Sequence, residues 1–134
     1  VTIQAQILEL LQRLQTELVM SILIITHDLG VIAEIADRVS VMYAGQIVES
    51  TDVGNIFANP KHPYTQGLLA SIPKVSEEKS RLSVIEGVVP NPVTFPTGCR
   101  FHPRCPIAEG KCSLEEQVLR EVQPNHMVRC WKTA

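Results

Sequence analysis

The stretch SILIITHDLGVIAEIADRVSVMYAGQIVES, Ser21–Ser50, decides the fold class. It opens inside a continuous apolar run, VMSILIIT (Val19–Thr26), rich in branched side chains. Such a run predicts a strand buried on both faces, as in a parallel sheet. HDLGVIAEIAD then reads as a turn and a short helix, with Asp28 as its N-cap. RVSVMYA predicts a second strand, GQ a tight turn and IVES a third strand. Upstream, Ile3, Ile7, Leu10, Leu11, Leu14 and Leu18 recur at three- and four-residue steps, one face of an amphipathic helix. The order helix–strand–helix–strand–strand is the tail of an α/β domain. A buried parallel strand needs neighbours on both sides, and few are available here. The chain also starts inside the helical pattern, with neither methionine nor cap before Val1. Both features create the expectation of a piece of a longer protein.

Proline divides the 134 residues in two: none lies in 1–59, and eight of nine lie between Pro60 and Pro106. The second part is therefore expected to be loop-rich. Thr51 or Asp52 can cap a short helix running through Phe57. Pro63 can open another at its first position, with Tyr64 packed on the core. Lys74 to Pro96 reads as a surface linker leading into a short extended segment. Ser113–Glu121 predicts a helix and HMVRCW a last short strand. Hydrophobic residues make up 45%, charged residues 19%, and the formal net charge is −2 with signs mixed. There is no basic stripe, so nucleic-acid binding has no support. The longest apolar run is too short to cross a bilayer, and no secretory signal pattern opens the chain. A cytosolic setting is the working expectation.

Two places could carry chemistry. His27 ends the apolar run, and ligands of open α/β sheets bind beyond the carboxyl ends of strands. A histidine there can bond a phosphate or orient a water, although a strand-end histidine is more often structural. Asp28 beside it suits a cap better than a magnesium ligand. The other place is the cysteines. Cys99, Cys105, Cys112 and Cys130 are spaced C-x5-C-x6-C-x17-C, and the first 98 residues hold none. Four readings compete. Zinc knuckles normally place two to four residues between cysteines, and disulfides are rare in the cytosol. Free thiols have no need to cluster. An iron–sulfur cluster needs four converging thiolates whose spacing varies with the fold. His102 and His126 could each replace a thiol.

ITHDLGVIAEIADRVSVMYAGQIVE (Ile25–Glu49) resembles the switch-histidine region of the ATPases of ABC transporters. NPKHPYTQGLLASIP and VVPNPVTFPTGCRFHPRCP resemble the C-terminal extension of oligopeptide/dipeptide-permease ATP-binding subunits, of which the triplet His62–Pro63–Tyr64 is a hallmark. The resemblance covers essentially the whole chain. It implies an α/β fold, the C-terminal part of a P-loop ABC ATPase domain followed by a small loop-rich cysteine-containing extension. The implied division is 1–58, the end of the nucleotide-binding domain after the D-loop, and 59–134, the extension. His27 is then the catalytic switch histidine, touching the γ-phosphate and helping to place the attacking water.

ATP and magnesium are the implied cofactors of the parent, but Walker A, signature and Walker B are not in this sequence, so the chain alone is expected to be inactive. Some members hold a four-iron four-sulfur cluster on four such cysteines, which makes Cys99, Cys105, Cys112 and Cys130 its expected ligands, with zinc as the alternative. The implied partners are a second ATP-binding subunit, transmembrane permease subunits and, indirectly, a peptide-binding protein, at the cytoplasmic face of the membrane. The rival from another class is a stand-alone metal-binding interaction module. Exposed sheet edges also create an expectation of self-association.

Overall fold

The computed structural model describes residues 3–72 and 84–133. The chain forms two compact units, Val1–Asp37 and Arg38–Ala134.

The first unit holds α1 (Ile3–Leu18) and α2 (Leu29–Ile35). Asp28 caps α2 as expected, its Oδ1 accepting from the N–H of Gly30 at 2.9 Å and of Val31 at 3.2 Å. The cap supplies acceptors to two of the helix's unpaired first-turn amides. The strand expected over Val19–Thr26 does not form. Among the described residues nothing pairs with it, and an extended segment without a ladder partner leaves its backbone to water. Its side chains stand out accordingly, Leu23 90% and Ile25 93% exposed. Only Leu8 of α1 is buried.

The second unit is built on an antiparallel sheet in the order β1-β2-β4-β3. Strands β1 (Arg38–Tyr43) and β2 (Gln46–Asp52) form the hairpin. Its turn is Ala44-Gly45, not Gly45-Gln46. Both turn residues have positive φ, 47° and 78°, which matches the right-handed twist of a two-residue hairpin. Gly45 makes this turn possible at little steric cost.

Asp52 caps α3 (Val53–Ala58), and α4 (Pro63–Ala70) begins with proline at its first position. The linker expectation falls partly on residues 74–83, outside those described; residues 84–96 carry no regular element. A single 3-10 turn spans His102–Arg104 and a short α5 spans Gly110–Leu114. The chain then pairs as β3 (Arg120–Gln123) and β4 (His126–Val128). The helix expected over Ser113–Glu121 is thus corrected: it ends at Leu114, and Arg120 and Glu121 pair with Val128 and Met127. Cross-strand pairing outweighs a weak local helix preference here. The last strand falls within the predicted HMVRCW.

β2 lies between β1 and β4 and is covered on both sides, since the consecutive residues Val48 and Glu49 are both buried. Val48, Tyr43 and Phe101 form the core, with Tyr64 packed against it as anticipated. Phe101 sits edge-on to Tyr43 at 5.1 Å and to Tyr64 at 5.4 Å, favourable geometries for aromatic pairs. Among the described residues, β4 extends the sheet of the β1–β2 hairpin and Phe101 fills its core.

Candidate functional site

His27 lies in the exposed turn between the apolar run and α2. Next to it the amide of Asp28 donates to Thr26 Oγ1 at 2.9 Å. The Asp28 carboxyl is held below the ordinary value, first by the side chain of Gln4 and then by the α2 amides. Asp28 is thus occupied as a cap. His27 is exposed, and no described residue of its unit supplies a phosphate-binding loop beside it.

The cysteines come together. Cys99, Cys105, Cys112 and Cys130 all line one cavity of about 20 Å³, walled also by Phe101 and Trp131. Sequence separations of up to 31 positions are closed by three devices. The amide of Cys99 donates to the carbonyl of Cys112 at 2.8 Å, joining the loop to α5. Gly98 permits that approach: its φ is +72°, and a Cβ there would stand 2.4 Å from the Cys112 carbonyl oxygen. Arg120 Nη2 donates to the carbonyl of Cys130 at 3.0 Å, fixing the chain end. The loop is tied to the hairpin too, Arg100 Nη1 donating to Ala44 O at 2.6 Å, and to the segment before it, Arg104 Nη2 donating to Ile85 O at 2.9 Å.

All four cysteines are free. Burial pushes the Cys99 thiol up, against backbone N–H groups of Phe101 and His102 that favour its thiolate. Burial likewise raises Cys105, against the N–H of Ile107. Without a cation these thiols stay protonated; a metal would convert them to thiolates that the same amides stabilise. The donor set suits a soft, thiolate-ligated metal. Trp131, one of the lining residues, has its indole Nε1 buried without a partner. As they stand, however, no three His, Cys, Asp or Glu side chains among the described residues are arranged to hold a metal ion. A metal shared by them would require the thiols to turn from the positions they take here.

Of the two histidines, His102 also lines the cysteine cavity, while His126 does not. His102 Nδ1 lies 2.8 Å from the carbonyl of Cys99. His126 is fully buried and its Nε2 meets Glu49 Oε1 at 2.7 Å. Glu49, fully buried on β2, also accepts from the amides of Lys61 at 2.7 Å and His62 at 2.9 Å. His62 Nδ1 in turn accepts from the amide of Tyr64 at 3.1 Å, capping α4. Burial drives the His62 pKa from the ordinary 6.5 to about 4, so the ring is a neutral acceptor at Nδ1. The HPY triplet is therefore a helix start: His62 caps, Pro63 opens and Tyr64 packs. Sequence reading missed Glu49 and the capping role of His62. The only signal was a carboxylate inside an otherwise strand-like IVES, which did not name its partners.

Residues 48–112 match the family described as the oligopeptide/dipeptide transporter C-terminal region. The chain belongs to the ATP-binding subunits of the oligopeptide/dipeptide transporters, of which it carries a C-terminal part. It is 52% identical to the oligopeptide transport ATP-binding protein AppD of Bacillus subtilis, over 98% of this chain and 40% of that protein. It is also 52% identical to the dipeptide transport ATP-binding protein DppD of Haemophilus influenzae, over 97% of this chain and 39% of that one. A Brucella melitensis protein named as a putative peptide import ATP-binding protein is 48% identical over 97% of this chain. The chain thus spans about 40% of the length of the curated relatives it matches. Similarity running through both units does not support the reading as a stand-alone metal-binding module. No helix among the described residues is long and apolar enough to cross a membrane.

Proposed function

We propose that the protein carrying this chain is the ATP-binding subunit of a peptide importer, coupling ATP binding and hydrolysis to oligopeptide or dipeptide transport. The observation that carries the reading is the roughly 50% identity to such subunits across nearly all of the chain. Residues 1–58 are the end of its nucleotide-binding domain and 59–134 its extension. That boundary marks sequence origin only, since β2 and β4 pair across it.

His27 is the switch histidine, and its exposure supports contact with a nucleotide held by another part of the subunit. ATP with magnesium supplies the phosphoryl group and its counter-charge; the histidine's part is to bond a phosphate oxygen and orient water. The partners are a second ATP-binding subunit and transmembrane permease subunits, with a peptide-binding protein acting through them, at the cytoplasmic face of the membrane. The test is ATP turnover by the longer subunit, assembled with its permease in vesicles. His27→Ala should lower turnover about a hundredfold or more, the scale of a lost positioned proton-transfer group, while ATP still binds. Undiminished turnover would overturn the assignment. The 134-residue chain alone should hydrolyse no ATP. Light scattering checks whether the free edge of β1 makes that chain self-associate; a clean monomer would count against it.

Cys99, Cys105, Cys112 and Cys130 are the ligands of a four-iron four-sulfur cluster, with zinc as the alternative. Support comes from four unpaired thiols on one cavity and amides directed at two of their sulfurs. A thiolate-bound group would staple a loop-rich segment that has little apolar core of its own. Anaerobic purification followed by iron, sulfide and zinc analysis decides the identity. Zinc without iron would replace the cluster assignment, and a metal-free protein would end both. Cys105→Ser should lose the metal and expose 84–133 to protease. Unchanged protease resistance would refute the staple.

A further inference from the structure

We propose that Cys99 and Cys112 are a redox-responsive thiol pair, closing as a disulfide when the protein meets a low-molecular-weight disulfide. The proposal concerns the free thiols and does not rest on the four-thiolate reading above.

Four cysteines allow several pairings, and the backbone favours one. The amide of Cys99 donates to the carbonyl of Cys112 at 2.8 Å, among the described residues the only backbone hydrogen bond that joins two of the cysteines. Such a bond keeps the two Cα atoms within roughly 6 Å of each other. That lies inside the span of about 4.4–6.8 Å that a disulfide bridges. Two neighbouring features hold the approach. Thr97 Oγ1 donates to the carbonyl of Ser113 at 2.9 Å. Between Thr97 and Cys99, Gly98 has no Cβ, which would stand 2.4 Å from the Cys112 oxygen and 2.7 Å from the Ser113 carbonyl carbon. Cys105 and Cys130 have no such tie to another cysteine: the Cys105 amide donates to His102 O at 3.2 Å, and the Cys130 carbonyl accepts from Arg120. Cys99 and Cys112 also line the same cavity of about 20 Å³. It has room for about one water, and a bond between two sulfurs adds no atom to it.

Exposure sets the order of events. Cys99 is half-buried and Cys112 is buried, so a disulfide RS–SR from solution reaches Cys99 first. Cys99 gives up its proton, its sulfur attacks one sulfur of RS–SR, a mixed disulfide forms and one RSH leaves. Cys112 then gives up its proton and attacks the Cys99 sulfur, and the second RSH leaves. Two protein thiols are oxidised to one disulfide, and RS–SR is reduced to two RSH. Disulfides in cytosolic proteins are mostly transient and redox-sensing, which is the role assigned to this pair. The bond closes a loop that contains Phe101, whose ring fills the core beside Tyr43. Oxidation therefore fastens that core residue to α5, and reduction releases it.

The test uses the longer subunit, purified anaerobically, cleared of bound metal with a chelator, treated with oxidised glutathione, alkylated and digested with trypsin. Cleavage after Arg100, Arg104, Lys111, Arg120 and Arg129 places each cysteine on its own peptide. The expected product is the Cys99 peptide joined to the Cys112 peptide. Cys112→Ser should leave glutathione trapped on Cys99, and the double variant Cys105→Ser, Cys130→Ser should still form the bond. In limited proteolysis, cleavage between Cys99 and Cys112 should slow by about a hundredfold on oxidation, the scale of closing a loop of this length. Joining of Cys99 mainly to Cys105 or Cys130 overturns the proposal. So do four alkylated thiols after excess oxidised glutathione, or a Cys99–Cys112 bond that forms only in denaturant. If the double variant fails to fold, the peptide map of the unsubstituted protein decides alone. Iron or zinc recovered with the chelator tests the four-thiolate reading separately, so either reading can fail while the other stands.

Discussion

Replacing Glu49 with alanine takes one carboxylate from three donors at once. It is fully buried and accepts from the amides of Lys61 and His62 and from His126 Nε2, at 2.7, 2.9 and 2.7 Å. The Lys61 amide is only half-buried, so water can replace its partner at small cost. The His62 amide and the His126 ring have no such recourse, and each stranded buried donor costs about 1–3 kcal/mol. Two such stranded donors together come to about 4 kcal/mol, the loss expected of the second unit on Glu49→Ala. For a unit of this size that is roughly 20 °C in Tm. Glu49→Gln keeps one acceptor oxygen and the shape, and should cost about half as much.

The assay is urea unfolding followed by the fluorescence of Trp131, the only tryptophan in the chain. A double-mutant cycle with His126→Gln should return a coupling of more than about 1 kcal/mol, as expected for groups in direct contact. A Glu49→Ala loss below about 1 kcal/mol, or additive single effects, would refute the view that this carboxylate joins the hairpin to the segment after it.

Three further outcomes are expected. His62, with its pKa lowered to about 4, binds its proton more readily when unfolded. Its share of stability is complete above about pH 6.5 and is lost as pH falls toward 4, in total about 3 kcal/mol. His62→Asn keeps a capping oxygen and cannot titrate there, so its pH–stability curve should be flatter over pH 4–6.5; parallel curves would contradict this. Gly98→Ala must place a Cβ 2.4 Å from a backbone oxygen at φ +72°. It should cost more than about 2 kcal/mol and reduce metal uptake, and a variant of parental stability would show that the Cys99–Cys112 approach is not tight. Phe101→Ala should cost about 3–5 kcal/mol by emptying the core between Tyr43 and Tyr64, read in the same urea unfolding, where a loss under 1 kcal/mol would count against it.

How much of this was legible beforehand depends on the range of the interactions. Asp28 and Pro63 could be read as helix starts because a cap and a first-position proline act within one turn. The hairpin was visible in its strand pattern, while its turn was displaced by one residue, since the pattern does not say which two residues take positive φ. The apolar run Val19–Thr26 misled as to local structure: its composition records a preference for burial, but a strand exists only when another strand completes its ladder. Ser113–Glu121 misled for a related reason, its last two residues being taken into the sheet by β4.

The sequence by itself determined the local starts and stops, the family resemblance and the four thiols as one set. Tertiary structure alone decided that Cys130 shares a cavity with cysteines up to 31 positions earlier, and that Glu49 joins His126 to the start of α4. Propensity and spacing act over a few neighbouring residues, whereas these groupings depend on the sheet order and on the close approach at Gly98, which exist only once the second unit has folded.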